Sequence, residues 1–172
     1  IATKLARHFA GDDPPVALVE RLSAAFGDTQ GDLPTLYRVL IDSPELWAPR
    51  FLKFKTPWEW AISAMRGIGF ETADRLPALQ MLSQLGQSVW EPGSPAGWAD
   101  IATSWAAPDA LLRRVEVANR LATLTADRHD PRELATKLLA NPPPPDTRSA
   151  IEGAGSRLTG LALLLVSPEF QR

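Results

Sequence analysis

The chain has 172 residues, no cysteine, two histidines and a net charge of −2, with 45% apolar and 22% charged residues. That length and apolar content suit a globular domain that buries a core without staples, and the missing thiols exclude disulfides, thiolate zinc sites and cysteine nucleophiles. Lys and Arg are spread along the chain, which argues against nucleic-acid binding; the most apolar stretch, 158–166, is too short to span a membrane, and the two histidines argue against a histidine-built catalytic zinc site.

Proline marks the helix starts, because a first helical position needs no N–H. Ile1–Ala10 reads as a helix with Ile1, Ala2, Leu5 and Phe9 on its inner face, closed by Gly11. Asp13 is expected to cap a second helix opened by Pro14 and Pro15, with Leu18, Val19, Leu22, Ala25 and Phe26 inward and Gly27 as its stop. Asp32 caps a third, carrying Leu33, Leu36, Val39 and Leu40. Ser43-Pro44-Glu45 begins a short helical turn ending before Pro49.

Thr56-Pro57-Trp58-Glu59 has the form of a capping box. It opens a fourth helix over 57–68, inward through Ala61, Ile62, Met65 and Ile68 and loosened at its end by Gly67 and Gly69. A fifth runs over 75–85 with Leu76, Leu79, Leu82 and Leu85 in register. Residues 86–107, with Trp90, Trp98 and Trp105, read as a long irregular loop, a kind of segment that often carries function. Pro108 opens the longest helix, 108–126, inward through Leu111, Leu112, Val115, Ala118 and Ala122, with Arg113, Arg114 and Glu116 on a solvated face. Asn119 is placed to bond across if buried. Asp130-Pro131 opens a helix to Ala140; Asn141 and Pro142–Pro145 form a stiff spacer; helices near 147–152 and 157–166 finish the chain.

No alternation of β-branched and aromatic residues supports a strand. The expected fold is all-α, an irregular orthogonal bundle of about eight to ten short helices with no sheet. It is read as a single domain over 1–172, with sub-lobes 1–85 and 108–172 joined by 86–107 as the internal alternative. The segments TLYRVLIDSPEL at 35–46 and TGLALLLVSPEF at 159–170 echo each other, as a shared helix-break device or as the trace of a duplication.

Six stretches carry a family resemblance: ATKLARHFAGDDPP at 2–15, SPELW at 43–47, KTPWEWAISAMRGIG at 55–69, LGQSVWEPGSPAGW at 85–98, APDALLRRVEVANRLA at 107–122 and LLLVSPEFQR at 163–172. Together they resemble the C-terminal half of the bacterial domain-of-unknown-function family 1800. The resemblance implies a longer parent protein, a bacterial source, and export or a periplasmic location. It also implies two partners: the chain's own N-terminal half, and a sulfatase-like companion protein. It supplies no catalytic residues and no cofactor. Ala99 departs from a proline common in relatives, which puts the conformation after Trp98 in question.

Three constellations are candidates for function. Lys4, Arg7 and His8 share one side of the first helix and precede Asp12 and Asp13; they read as an anion grip or as a solvated helix face. Of Trp58 and Trp60, helical spacing sends only one to the core, leaving the other as a partner anchor unless both rings pack between helices. Trp90, Glu91, Trp98 and Asp100 lie on a loop stiffened by proline, suited to stacking a sugar ring or binding a peptide, or else to plugging a gap between helices. As a glycosidase pair, Glu91 and Asp100 have no fixed separation. There is no nucleophile elbow, phosphate loop, dinucleotide fingerprint or H-E-x-x-H, which points away from an enzyme, and neither a metal nor a cofactor is expected. The functional expectation is a non-catalytic structural or protein-interaction domain of an exported bacterial protein. The alternatives are a carbohydrate-binding or carbohydrate-active module using residues 90–100, or a half-site completed by the N-terminal half.

Overall fold

Pro34, Pro57, Pro108, Pro131 and Pro145 all stand in the first turn of a helix. The computed structural model describes residues 1–47, 53–70, 78–139 and 142–172. Among them run α1 Ala2–Ala10, α2 Val16–Asp28, α3 Leu33–Ile41, α4 Pro57–Gly67, α5 Ala78–Gln84, α6 Ala102–Trp105, α7 Pro108–Thr125, α8 Pro131–Leu138, α9 Pro145–Glu152 and α10 Arg157–Val166. The described residues also hold the 3₁₀ turns Pro44–Trp47 and Ala126–Arg128, and among them there is no strand. The fold is all-α. The expectations for Pro49, for Leu76 and the start near 75, and for Ala140 and Asn141 fall outside the described residues.

The caps behave as local chemistry requires. Asp32 accepts the Thr35 N–H at 2.9 Å and Asp130 that of Arg132 at 2.9 Å. Thr56 and Glu59 form the full capping box, each side chain accepting the other's backbone N–H. One cap differs. Asp13 does not cap α2, which starts only at Val16 with Pro15 at the N-cap. The reason is the double proline: a residue before proline is pushed out of the helical region, so Pro14 cannot begin the helix and Asp13 stands too far upstream. Gly27 does not stop α2 either; the helix continues to Asp28.

The chain forms two compact units. The first, Ile1–Phe54 with Asp100–Ala102, packs α1 on α2 and α2 on α3. Its core is Ala2, Ala6, Leu18, Leu22, Leu36 and Leu40, with Leu5, Val19, Phe26 and Leu46 packed at the edge.

The second, Lys55–Ala99 with Thr103–Arg172, is organised by α10, which packs on α7, α8 and α9. Leu161, Leu164 and Leu165 of α10 are fully buried; each such side chain contributes about 1.5–3 kcal/mol by leaving water. Gly160 permits the approach to α8, since a Cβ there would lie 2.8 Å from Pro131 Cγ. Gly67 likewise does more than loosen a helix end: a Cβ there would meet Leu138 at 2.8 Å.

Several inner faces are rotated from expectation. α7 buries Ala110, Arg114, Val117, Ala118, Leu121, Ala122 and Thr125, while Leu112 and Val115 are exposed and Leu111 is half-buried. α7 carries apolar residues around most of its circumference, so periodicity does not choose the buried side. Arg114 enters the core because partners await it there: it donates to the Lys55 carbonyl at 2.6 Å and to Gln171 Oε1 at 3.2 Å, and lies over the Trp60 ring. Arg114 is therefore not part of a solvated face. Asn119 is exposed. In α4, Ala64 and Trp60 replace the exposed Ile62; Leu79 of α5 is exposed as well. The two Ser-Pro-Glu echoes both end helices with a buried serine, Ser43 and Ser167.

Candidate functional site

α1 is the helix whose faces matter most. Its buried residues are the small Ala2 and Ala6, which let its backbone close onto α2. Of the large apolar residues expected inside, Ile1 is 67% exposed and Phe9 55%, and Leu5 is half-buried at the edge of the core. Leu5 and Phe9 line a groove of about 680 Å³ with Tyr37, Leu40 and Ile41 of α3 and Leu46 and Trp47 of the following 3₁₀ turn. Tyr37, Ile41 and Trp47 are exposed by 46%, 58% and 72%. Trp47 is held in place by its indole N–H, which donates to the Ile41 carbonyl at 2.7 Å. Sequence reasoning missed Tyr37, Ile41 and Trp47. The available signal was the wide apolar arc of α3, in which 37 and 41 form a stripe beside the buried 36 and 40.

Beside Phe9 is a polar cluster. His8 packs edge-on against the Phe9 ring at 4.8 Å, and its Nδ1 meets Asp100 Oδ2 at 2.6 Å. Lys53 Nζ lies 3.2 Å from the other oxygen of Asp100. Partial burial alone would raise the Asp100 carboxyl, but hydrogen bonding to His8 and the charge of Lys53 outweigh it and hold the carboxyl below its ordinary value. An ionised carboxylate only accepts, so the proton between the two groups belongs to Nδ1; in a neutral imidazole this leaves Nε2 as the acceptor. Asp12 anchors the same stretch of chain, its Oδ2 accepting the Ala102 N–H at 2.8 Å. Behind the groove's 3₁₀ turn, Arg21 forms a forked pair with Glu45 at 2.8 and 3.1 Å and donates to Ser43 Oγ at 2.8 Å. The hydrogen bond from Arg21 holds the Glu45 carboxyl at about 2.

The sequence-derived anion grip is thus partitioned. His8 is turned to Asp100, Arg7 Nε donates to the Asp12 carbonyl at 3.2 Å, and Lys4 is exposed. The tryptophan pair divides as helical spacing requires: Trp60 is fully buried, its indole donating to the Leu165 carbonyl at 2.9 Å, and Trp58 is 49% exposed. The loop set divides too. Asp100 belongs to the first unit, whereas Trp90, Glu91 and Trp98 belong to the second. Trp98 is half-buried against Trp105, ring centres 6.0 Å apart, and the Trp105 indole donates to the Ala99 carbonyl at 2.8 Å. Trp90 is 94% exposed at a left-handed φ of 63°, beside the exposed Glu91. Among the described residues no three His, Asp or Glu side chains group to hold a metal ion, and no helix is long and apolar enough to cross a membrane.

Compared with known proteins, the whole chain, residues 1–172, matches a family described as "Protein of unknown function (DUF1800)". The chain belongs to the DUF1800 family. No curated protein matches it, and no solved structure does. Roles for residues of this DUF1800 chain therefore rest on its own geometry. There, Phe9 lines the groove and its ring meets that of His8, which joins the Asp100–Lys53 cluster.

Proposed function

We propose that this chain is a non-catalytic interaction domain of an exported bacterial protein, and that the groove of the first unit is its docking surface. The observation that carries the reading is a set of four large side chains, Phe9, Tyr37, Ile41 and Trp47, each about half or more exposed around one concavity. Exposed apolar patches of this kind mark interaction sites on soluble proteins, and aromatic residues are the usual anchors of such contacts. The partner is an apolar segment of a protein, offered by the remainder of the same polypeptide or by the sulfatase-like companion.

The test is isothermal titration of the chain with each of these two proteins, repeated with Tyr37→Ser and Trp47→Ala. The expected result is saturable binding to one of them, weakened at least tenfold by either substitution. Absence of binding to both, or binding indifferent to both substitutions, would overturn the reading.

A second reading, a carbohydrate-binding module, is favoured by Trp90 alone. An indole almost wholly in water, on a backbone conformation that costs a non-glycine residue about 1 kcal/mol or more, offers a flat face to a sugar ring. Tryptophan fluorescence titrated with a panel of oligosaccharides should then respond in the wild type and not in Trp90→Ala. An unchanged spectrum with every sugar removes this reading.

A further inference from the structure

The second unit carries a cleft that neither reading uses. It lies between α8 and α9 and encloses about 290 Å³, close to the lower end of the roughly 300–1,000 Å³ typical of small-molecule sites. Its floor is apolar and firm: Ala135, Leu139 and Ile151 are 3%, 7% and 4% exposed. Its mouth is charged. Arg132 enters from the first turn of α8 and Arg148 from α9, and the opposing Glu152 balances only one of them. Each guanidinium group is tied to a backbone carbonyl of its own, Arg132 Nη2 to Glu152 O at 3.1 Å and Arg148 Nη2 to Pro143 O at 3.4 Å. A guanidinium has five N–H donors, so each keeps donors for a ligand while its position is set.

We propose that this cleft binds a small amphipathic anion, its apolar body on the Ala135–Leu139–Ile151 floor and its carboxylate or sulfonate at Arg132 and Arg148. The excess positive charge selects against cations. The planar fork of arginine suits a two-oxygen head group, and a charge-assisted pair is stronger than a neutral hydrogen bond. The apolar floor selects against inorganic anions, which gain nothing from it. The site is independent of the groove on the first unit, so the two proposals stand or fall separately.

Octanoate is a suitable probe, with octan-1-ol as its uncharged counterpart and inorganic phosphate as the anion without an apolar body. In a ¹H–¹⁵N NMR titration of the whole chain, octanoate is expected to saturate with shifts centred on 132–139 and 146–152. Affinity should fall about tenfold in the Arg132→Gln, Arg148→Gln double variant; both residues are exposed, so the fold is retained and its spectrum checks that. Octan-1-ol and phosphate should each bind at least tenfold more weakly, and Ala135→Trp, which fills the floor, should abolish binding. No saturation by about 10 mM octanoate, shifts centred elsewhere, or equal affinity for octan-1-ol would each overturn the proposal.

Discussion

Replacing Arg114 tests whether a buried cation is a structural hub of the second unit. Its side chain is 1% exposed yet belongs to a residue type that is almost never fully buried without partners. Burial pulls the guanidinium down to about 10, with Glu59 pulling the other way. Lys55 next to it is also lowered by burial, and its ammonium donates to the Phe170 carbonyl at 2.6 Å over the Phe170 ring. The Lys55 N–H in turn donates to the Gln171 carbonyl at 2.8 Å. Arg114 thus joins the residues before α4 to the chain's last turn. Arg114→Ala removes hydrogen bonds from a charged donor, worth about 1.5–3 kcal/mol each, strands the Lys55 carbonyl, and leaves a cavity under Trp60. Because these terms overlap, the expected loss is about 3–5 kcal/mol. Arg114→Met keeps most of the volume and removes the cost of burying a charge, so it should lose less, about 1–2 kcal/mol. Urea denaturation gives both values, and hydrogen exchange at the Lys55 amide should accelerate in the alanine variant. A loss under about 1 kcal/mol for Arg114→Ala, or a methionine variant as unstable as the alanine one, refutes the reasoning.

Other expectations follow from single contacts. Gly160→Ala places a methyl group 2.8 Å from the rigid Pro131 ring, so it should destabilise by about 1–2 kcal/mol despite the better helix propensity; Gly27→Ala, with nothing within 4 Å, should gain stability instead, and calorimetric melts that rank the two the other way contradict the packing argument. Glu45 has its folded value depressed from 4.5 to about 2, so its stabilisation is complete above about 4.5 and is lost as pH falls through 2; melting curves of wild type and Glu45→Gln should differ at pH 7, draw together as pH falls, and converge only below about pH 2. The neutral His8 ring should be the Nδ1-protonated tautomer by long-range ¹H–¹⁵N NMR and should lose that preference in Asp100→Asn; an Nε2-protonated ring in the wild type contradicts the assignment.

Much of the helical framework was legible residue by residue. The caps at Asp32, Thr56 and Asp130 and the helix 157–166 stand where they were read, because a cap is settled by three or four neighbouring residues and the bond geometry among them. At Pro14–Pro15 an equally local rule, the effect of a proline on the residue before it, moves the start of α2 past the expected Asp13 cap. The candidate sites were less legible. Trp58 and Trp60 could be divided in principle, but helical spacing does not say which one goes in. The pairing of His8 with Asp100 spans 92 residues, and no pattern near either residue announces it.

Composition and local order therefore determined that this chain would be helical, where most helices begin, and that it would need no disulfide. Tertiary structure alone decided which side of α1 and α7 is buried, that Arg114 lies inside, and that Phe9, Tyr37, Ile41 and Trp47 gather around one groove. The physical reason is that a helix forms through bonds four residues apart. Which of its apolar faces is covered depends on the shape of neighbours contributed by distant segments. Small alanines at Ala2 and Ala6 are the residues of α1 buried in that core, and Phe9 is left exposed to join Tyr37, Ile41 and Trp47 around the groove.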